Sequence, residues 1–411
     1  MAKDVHPPRG MRDFLPIEQQ KRDQVLGWIR STYRSHGFQE IETPSLEDLE
    51  RLTSGQGGDN EKLAFRVMKR GEELERAIEA NTDGSSDNLA DLGLRFDLTV
   101  PLTRYYATNR AKLPKVFKAI QAGPVWRAER PQKGRYRQFI QCDIDIIGDS
   151  SILAEIDLLT SSLHALEVIG LNDATIRINH RVLLANLLDG LGIPEDGKPA
   201  AMIIIDKLDK IFAEGVVKEL GEKFGAKVAE TAAGWLASLK SDLETPVELQ
   251  EIFTAVESRV GKGRLRFDPT LVRGMGYYTG TIFEIEHPES GSSIGGGGRY
   301  DGMIGRWIGE DVPAVGISIG FERAVELVSD KLVQSMPGLV LVLDDTSAET
   351  IGVALARQKD LFEHGYSVRL EQRPKKLNLL LDSLAEQGFT HFAAVGANSS
   401  TFESLDIKPI A

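Results

Sequence analysis

The chain has 411 residues, with 49 lysines and arginines against 61 aspartates and glutamates, a formal net charge of −12. This length predicts two or three domains, and the acidic balance argues against a protein that coats nucleic acid non-specifically. The single cysteine, Cys142, excludes an intramolecular disulfide and a cysteine zinc cluster. No apolar stretch is long enough to span a membrane and no apolar signal-peptide core is present, so we expect a cytoplasmic protein without a structural metal.

The first third of the chain predicts alternating helices and strands. Apolar residues at helical spacing predict a helix over 13–38, closed by Gly37 and followed by a strand over 39–48. The charged segment 66–88 is typical of an exposed hairpin and loop. Residues 92–123 predict a strand that runs into a helix.

Residues 124–129 and 137–148 then predict two strands joined by a long turn. Helices over 151–170 and 177–192 are expected around a strand at 174–180. The next segment, 195–262, is almost purely helical in pattern and highly charged, which indicates a helical insertion.

Strands return over 271–287 and after the glycine run 295–298, and a strand followed by a helix is predicted over 315–328. The last 70 or so residues alternate between strand and helix patterns, which predicts a small α/β domain. The whole is an α+β chain, with a body of mostly antiparallel strands and flanking helices followed by a separate α/β tail. Its expected parts are a core in two pieces, 1–194 and 263–329, the insertion 195–262, a linker 330–338 and the α/β domain 339–411.

Alternation along the two central strands predicts a polar surface on the sheet, because successive side chains point to opposite faces. Ile140, Cys142, Ile144 and Ile146 fall on one face of 139–147, and Gln141, Asp143 and Asp145 fall on the other. If the two strands form a hairpin, the polar surface also takes Arg127 and Glu129. Taken alone, this pattern is typical of the solvated face of an antiparallel sheet.

The turn between these strands favours a binding site instead. The segment "RAERPQKGRYRQF" (127–139) has five lysines and arginines against one glutamate, and Gly134 gives the turn freedom. A basic loop of this kind suits a polyanion such as a triphosphate or an RNA backbone.

Four further features are candidates with two interpretations each. Asp97 and Thr99 share a strand face, or cap a turn. Arg273 stands beside glycines and paired tyrosines, which indicates either close approach to a ligand or a bulged edge strand. The glycine run 295–298 fits neither a dinucleotide fingerprint nor a P-loop and predicts a tight turn beneath a small ligand. Arg323, at a strand-to-helix junction, pairs with phosphate or with a surface carboxylate.

These segments, in this order, resemble the histidyl-tRNA synthetase family of class II aminoacyl-tRNA synthetases over about residues 8–335. The N-terminal start and the three class II motifs are matched by "RGMRDFLP", "IETPSLED", "WRAERPQKGRYRQFIQCDIDIIG" and "GISIGFERA". The two peptides peculiar to the histidine enzymes are matched by "LVRGMGYYTG" and "GGGGRYDG". The tail is more loosely similar to the family's anticodon-binding domain.

The resemblance implies a reaction of histidine with ATP, accompanied by Mg²⁺, to give histidyl-adenylate, and transfer of histidine to histidine tRNA by a homodimer. It implies that Arg127 and Arg273 act at the α-phosphate and Arg323 at the far end of ATP. Further ATP contacts are implied for Phe139 and Glu129, at adenine, and for Arg135 and Arg137. The implied histidine ligands are Asp97, Thr99, Gln141, Asp145, Arg273, Tyr277, Tyr278 and Tyr300. Gln132 and Lys133, at the loop tip, are implied to contact the tRNA acceptor end.

Two departures from the family pattern and two other functions stand beside this interpretation. Gly276 replaces an acidic residue, and the tail is shorter than expected of an anticodon-binding domain. A non-catalytic regulatory relative of ATP phosphoribosyltransferase shares the core, but we expect it to lose the histidine-type arginine, here Arg273, and much of the second class II motif. The third possibility is a ligase that charges another carrier.

Overall fold

The computed structural model describes residues 5–53, 63–81, 87–131, 134–239, 243–273, 278–333 and 336–410. It divides into two compact units. The larger takes the residues up to Asp13 together with Val25–Val328, and the smaller takes Phe14–Gln24 with Ser329–Ala411. No helix in the described part of the chain is both long and apolar enough to cross a membrane.

The larger unit is built on an eight-stranded sheet, with antiparallel pairing except at its two edges. The strands, in spatial order, are β1 (Gln39–Glu40), β5 (Phe117–Trp126), β6 (Gln138–Ile147), β11 (Ala314–Gly320), β10 (Gly295–Arg299), β9 (Thr281–Glu286), β7 (Thr175–His180) and β8 (Leu265–Phe267). A separate small sheet has the order β2 (Leu46–Asp48), β4 (Ala90–Leu94) and β3 (Phe65–Met68). The predicted α+β class with an antiparallel central sheet is confirmed.

Twelve helices accompany these strands in the described residues. They are α1 (Pro16–Ser35), α2 (Leu49–Thr53), α3 (Glu72–Ala80), α4 (Thr99–Asn109), α5 (Leu153–Val168), α6 (Arg181–Gly190), α7 (Lys198–Ile205), α8 (Leu208–Phe224), α9 (Ala226–Ser238), α10 (Val247–Val260), α11 (Gly302–Ile308) and α12 (Phe321–Leu327). The main core packs the second half of α1 with α5 and α10 against one face of the large sheet, burying Ile144, Phe283 and Ile317. Burial of apolar side chains on that face leaves the opposite face for polar groups.

The predicted insertion contains α7 to α10, and its extent remains a prediction. Helices α7, α8 and α9 share a second apolar cluster with α6, in which Leu188, Val216 and Ala232 are fully buried. Helix α10 instead packs in the main core, where Leu249 is fully buried. The last helix of the segment therefore supports the large sheet.

Several local predictions are wrong. The helix expected to run to Gly123 ends at Asn109, because Pro114 blocks continuation and β5 pairs with β6 from Phe117 onward. The segment 66–88, expected as an exposed hairpin and loop, has β3 paired with β4 but also contains α3. The first turn of α3 is rich in glutamates that favour the positive end of a helix. The strand predicted over 39–48 is two short strands, β1 and β2. The glycine run is a strand of the sheet and not a turn.

The smaller unit is a four-stranded sheet with the order β13 (Ser367–Gln372), β12 (Gly338–Leu343), β14 (Phe389–Val395) and β15 (Lys408–Pro409). Strand β12 pairs in parallel with both neighbours, and α13 (Ala348–Glu363) and α14 (Leu377–Ala385) connect the parallel strands. The α/β character predicted for the tail is confirmed. Side chains of β12 alternate between the two helices: Leu341 packs in the cluster of α13, and Val342 in that of α14.

Candidate active site

A cavity of about 420 Å³ opens on the polar face of the large sheet. Among the described residues predicted for the site, all except Arg137 line it. They are Asp97, Thr99, Arg127, Glu129, Arg135, Phe139, Gln141, Asp145, Arg273, Tyr278, Tyr300 and Arg323. Gln132, Lys133 and Tyr277 lie outside the described residues, as does Gly276. Arg137 instead donates from Nε to the Glu129 carbonyl oxygen at 3.0 Å, so its contact with ATP remains a prediction.

The predicted hairpin is present, but its first strand begins earlier and ends at Trp126 rather than at Glu129. Strands β5 and β6 pair from Phe117 opposite Ile147 to Trp126 opposite Gln138. Arg127 lies just past the end of β5, where its backbone N–H donates to the Arg137 carbonyl at 2.8 Å. The hairpin thus carries Arg127 to the rim of the cavity while β6 carries polar groups across its floor.

Acidic and amide side chains of β6 form one end of the cavity. Gln141, Asp143 and Asp145 are all nearly buried, on the face opposite Cys142. The Tyr300 hydroxyl donates to Asp145 Oδ1 at 2.6 Å. Gly316 stands directly across from Asp145 on β11, and a Cβ there would lie 1.9 Å from that carboxylate oxygen. A glycine is therefore needed for Asp145 to adopt this position.

Asp143 also belongs to this end, although it is not among the predicted histidine ligands. Gln141 Nε2 donates to Asp143 Oδ1 at 3.3 Å and to Ser318 Oγ at the same distance. Burial raises the pKa of Asp143 to about 7. Burial, followed by the nearby Asp143 charge, raises the pKa of Asp145 well above its ordinary value. A nearby cation stabilises the charged forms of buried carboxyl groups whose pKa values are raised. This end of the cavity therefore favours a cationic group.

Asp97 and Thr99 reach the cavity from the start of α4 rather than from a strand. Asp97 Oδ1 accepts a hydrogen bond from the Val100 N–H at 3.1 Å, which is the capping alternative considered for this residue. Asp97 also lines the cavity, so it combines the capping role with a place in the site. The predicted strand face is wrong, because β4 ends at Leu94. Burial raises the pKa of Asp97, as it does for the β6 carboxylates.

Arg127 connects the acidic end with an aromatic wall. Its Nη2 donates to Gln141 Oε1 at 3.1 Å, and its Nε donates to the Phe96 carbonyl at 3.0 Å. Its guanidinium carbon lies 4.9 Å from the centroid of the Phe139 ring, within the range of a cation–π contact.

The other end of the cavity is rich in arginine. Arg323, in the first turn of α12, donates from Nη1 to the Ser293 carbonyl oxygen. Its pKa is lowered by burial first, and then by the charges of Arg135 and Arg273. Arg135 Nη1 also lies 3.9 Å from Glu129 Oε2. Several arginines whose positive charges repel one another around one cavity provide a binding site for a polyanion.

Ser318 and Glu322 are further lining residues that the sequence analysis missed. Alternation along β11 puts Ser318 on the same face as Gly316, so its position was predictable. Glu322 accepts a hydrogen bond from the Ile140 N–H at 3.2 Å and pairs with Arg12. No local pattern indicates this role, because Arg12 is distant in sequence. Within the described ranges, no group of three or more His, Cys, Asp or Glu side chains is placed to hold a metal ion.

Comparisons with known proteins point to one family. The family model for histidyl-tRNA synthetase matches residues 10–324. A histidine–tRNA ligase of Leifsonia xyli subsp. xyli is 51% identical, in an alignment that covers 100% of this chain and 99% of that protein. The chain belongs to the histidyl-tRNA synthetase family. A probable histidine–tRNA ligase of Tropheryma whipplei is 42% identical over 94% of this chain and 95% of the relative.

Solved structures of the family share the fold. Histidyl-tRNA synthetase from Nostoc sp. PCC 7120 aligns with a TM-score of 0.77 and 27% identity, covering 99% of this chain and 97% of that one. A Bacillus halodurans protein described as an ATP phosphoribosyltransferase regulatory subunit/histidyl-tRNA synthetase aligns with a TM-score of 0.70 at 19% identity, covering 95% and 97%. The second match shows the fold alone, so fold does not separate synthetase from regulatory relative.

Proposed function

We propose that this chain is a histidine–tRNA ligase that activates histidine with ATP and transfers it to histidine tRNA. One observation carries the proposal: a single cavity has buried carboxylates at one end and converging arginines at the other. Histidine brings an ammonium group to the first end, and ATP brings a polyanion to the second. The histidine carboxylate and the α-phosphorus then meet between them.

At the acidic end, Asp97, Thr99, Gln141 and Asp145 bind the ammonium group of histidine. Tyr278 and Tyr300 border the imidazole, with Tyr277 assigned by motif alone. The hydrogen bond from Tyr300 fixes the Asp145 carboxylate, so this acceptor is oriented before substrate arrives.

At the basic end, Arg127 and Arg273 neutralise charge that gathers at the α-phosphate as the histidine carboxylate attacks. Arg323 holds the far end of ATP, with Arg135 nearby. Phe139 stacks on adenine and Glu129 accepts from its exocyclic amine. Charge neutralisation and orientation supply the catalysis, because pyrophosphate leaves without a covalent enzyme intermediate. Mg²⁺ accompanying ATP would supply additional charge neutralisation at the pyrophosphate group.

The first test separates the three functions considered. ATP–pyrophosphate exchange is measured with each amino acid in turn, and charging is then measured with total tRNA. A ligase for histidine tRNA gives exchange with histidine and histidine-dependent charging. Exchange without charging indicates a ligase for another carrier. The absence of both reactions from a folded protein indicates the regulatory relative and refutes the proposal.

The loop tip gives a second test. Gln132 and Lys133 stand midway between β5 and β6 in the sequence and are proposed to contact the tRNA acceptor end. Replacing both with alanine is expected to leave histidine-dependent exchange unchanged and to slow transfer to tRNA, more so at high salt. If exchange falls as far as transfer, the ATP site has been misplaced, and if neither changes the loop has no role in tRNA binding.

We also propose a homodimer in the cytoplasm, where ATP and tRNA are available. Exposed apolar side chains on the small sheet support a subunit interface there, including Leu46 at 42% and Met68 at 55% exposure. Sedimentation at micromolar concentration is expected to give twice the chain mass of 45.2 kDa. A monomer mass at that concentration refutes the dimer.

A further inference from the structure

Arg273 rests on a site made by one cross-strand pair of the sheet. Glu284 on β9 stands directly across from Gly296 on β10. Glu284 Oε2 accepts from Arg273 Nε at 2.7 Å. A Cβ at position 296 would lie 2.0 Å from Arg273 Nη1, so the guanidinium lies over the glycine. The acid and the glycine thus define where the arginine sits.

Glu284 is itself held in place. Its other oxygen, Oε1, accepts from Arg177 Nη1 at 3.0 Å. Arg177 is also fixed by Asp268, whose Oδ2 accepts from Arg177 Nε at 2.7 Å. The side chains of Glu284, Arg177 and Asp268 are only 16%, 10% and 12% exposed. A carboxylate bound from both sides in a mostly buried setting has little freedom to move.

We propose that Glu284 is a positioning residue for the ligation reaction, which holds the Arg273 guanidinium over Gly296 with its Nη edge toward the cavity. The inference rests on the proposed function, in which Arg273 neutralises charge at the α-phosphate. Pairing at Nε leaves the two terminal nitrogens for the reacting atoms, and Nη2 lies 3.5 Å from Ser293 Oγ at the cavity wall. An arginine with several rotatable bonds needs such an anchor to be pre-oriented.

The test compares Glu284→Ala with Glu286→Ala. Glu286 is the matched control, because it belongs to the same network of ion pairs as Glu284. It pairs with Arg177 at 3.0 Å and with Arg266 at 2.7 Å, whereas Glu284 pairs with Arg273. Adenylate formation is measured over a range of histidine and ATP concentrations up to saturation, with melting temperatures for each variant. We expect Glu284→Ala to lose about 100-fold in rate, the scale of a misplaced catalytic group, with KM for both substrates nearly unchanged. Glu286→Ala is expected to stay within about threefold of the parent.

Gly296→Ala approaches the same arginine from the other side and keeps the inference testable if Glu284→Ala fails to fold. It is expected to slow adenylate formation in the same way. Arg273→Ala and the double variant Glu284→Ala/Arg273→Ala complete the set. Because Glu284 acts through Arg273, the double variant is expected to be no slower than Arg273→Ala alone.

The outcomes are distinguishable. Equal losses in the Glu284 and Glu286 variants, or additive losses in the double variant, indicate a merely structural network and overturn the inference. A slow Arg273→Ala beside an unaffected Glu284→Ala and Gly296→Ala overturns it while leaving the proposed function intact. A fully active Arg273→Ala overturns both the role of that arginine and the inference, whereas histidine-dependent exchange by the parent remains the test of the function itself.

Discussion

Replacing Asp143 with asparagine is expected to stabilise the ligand-free protein at alkaline pH. Burial raises the pKa of this carboxyl from 3.8 to about 7 in the folded protein. Between these values the folded state binds more protons than the unfolded state, so stability falls as pH rises through this window. Asparagine keeps the size of the side chain and carries no charge at any pH in the window.

The size of the effect follows from the shift in pKa. Roughly three pH units at about 1.4 kcal/mol each give about 4 kcal/mol of destabilisation once Asp143 is ionised in both states, near pH 8. At pH 5 the contribution is less than about 2 kcal/mol, because only the unfolded state has lost its proton. Asparagine still accepts from Gln141 and faces Ser318, so we expect the difference to be mainly electrostatic.

Urea denaturation of the ligand-free parent and variant at pH 5 and pH 8 measures this difference. Asp173→Asn is the matched control, since Asp173 is exposed, and its effect on stability is expected to be small. Asp143→Asn should also weaken histidine binding, because a carboxylate is lost from the acidic end. A gain in stability that is equal at the two pH values, or no gain at pH 8, refutes the reasoning.

Three more substitutions test the geometry. Gly316→Ala is expected to raise KM for histidine about tenfold in pyrophosphate exchange, because its Cβ would displace the Asp145 carboxylate; an unchanged KM contradicts this. Glu155→Gln is expected to cost about 3–5 kcal/mol in urea denaturation, because it breaks the buried pair in which Glu155 Oε1 accepts from Arg299 Nε at 2.6 Å; a loss below about 1 kcal/mol contradicts this. Arg273→Ala is expected to slow adenylate formation about 100-fold or more with an unchanged melting temperature, and exchange at the parent rate contradicts its role.

The polar floor of the site was predictable from sequence because strand geometry is rigid. Alternation alone placed Gln141, Asp143 and Asp145 opposite Cys142, and the structure confirms this division between cavity and core. The predicted position of Arg323 at a strand-to-helix junction is also confirmed: β11 ends at Gly320 and α12 begins at the next residue. In both cases a local pattern sufficed.

The glycine run was misread because its meaning depends on residues far away in the chain. Local rules count glycine against a strand, since it has no side chain to pack. In the structure, Gly296 and Gly298 leave room for Arg273 and for the Tyr278 ring, whose Cδ1 would lie 3.0 Å from a Cβ at position 298. The neighbouring strands supply the packing that glycine lacks, and no window of sequence contains that information.

The division of labour between strands predicts how the site responds to mutation. Strand β6 provides chemical groups, so conservative replacements there change charge and hydrogen bonding but leave the space intact. Strands β10 and β11 provide space through glycines: a Cβ at Gly297 would lie 1.9 Å from the Gly316 carbonyl oxygen. The backbone of β10 is hydrogen-bonded to strands on both sides, so it cannot move aside as a flexible side chain can. The main chain therefore fixes the shape of the cavity before any substrate binds. The acidic and arginine side chains around it are attached to a backbone that does not have to reorganise during the reaction.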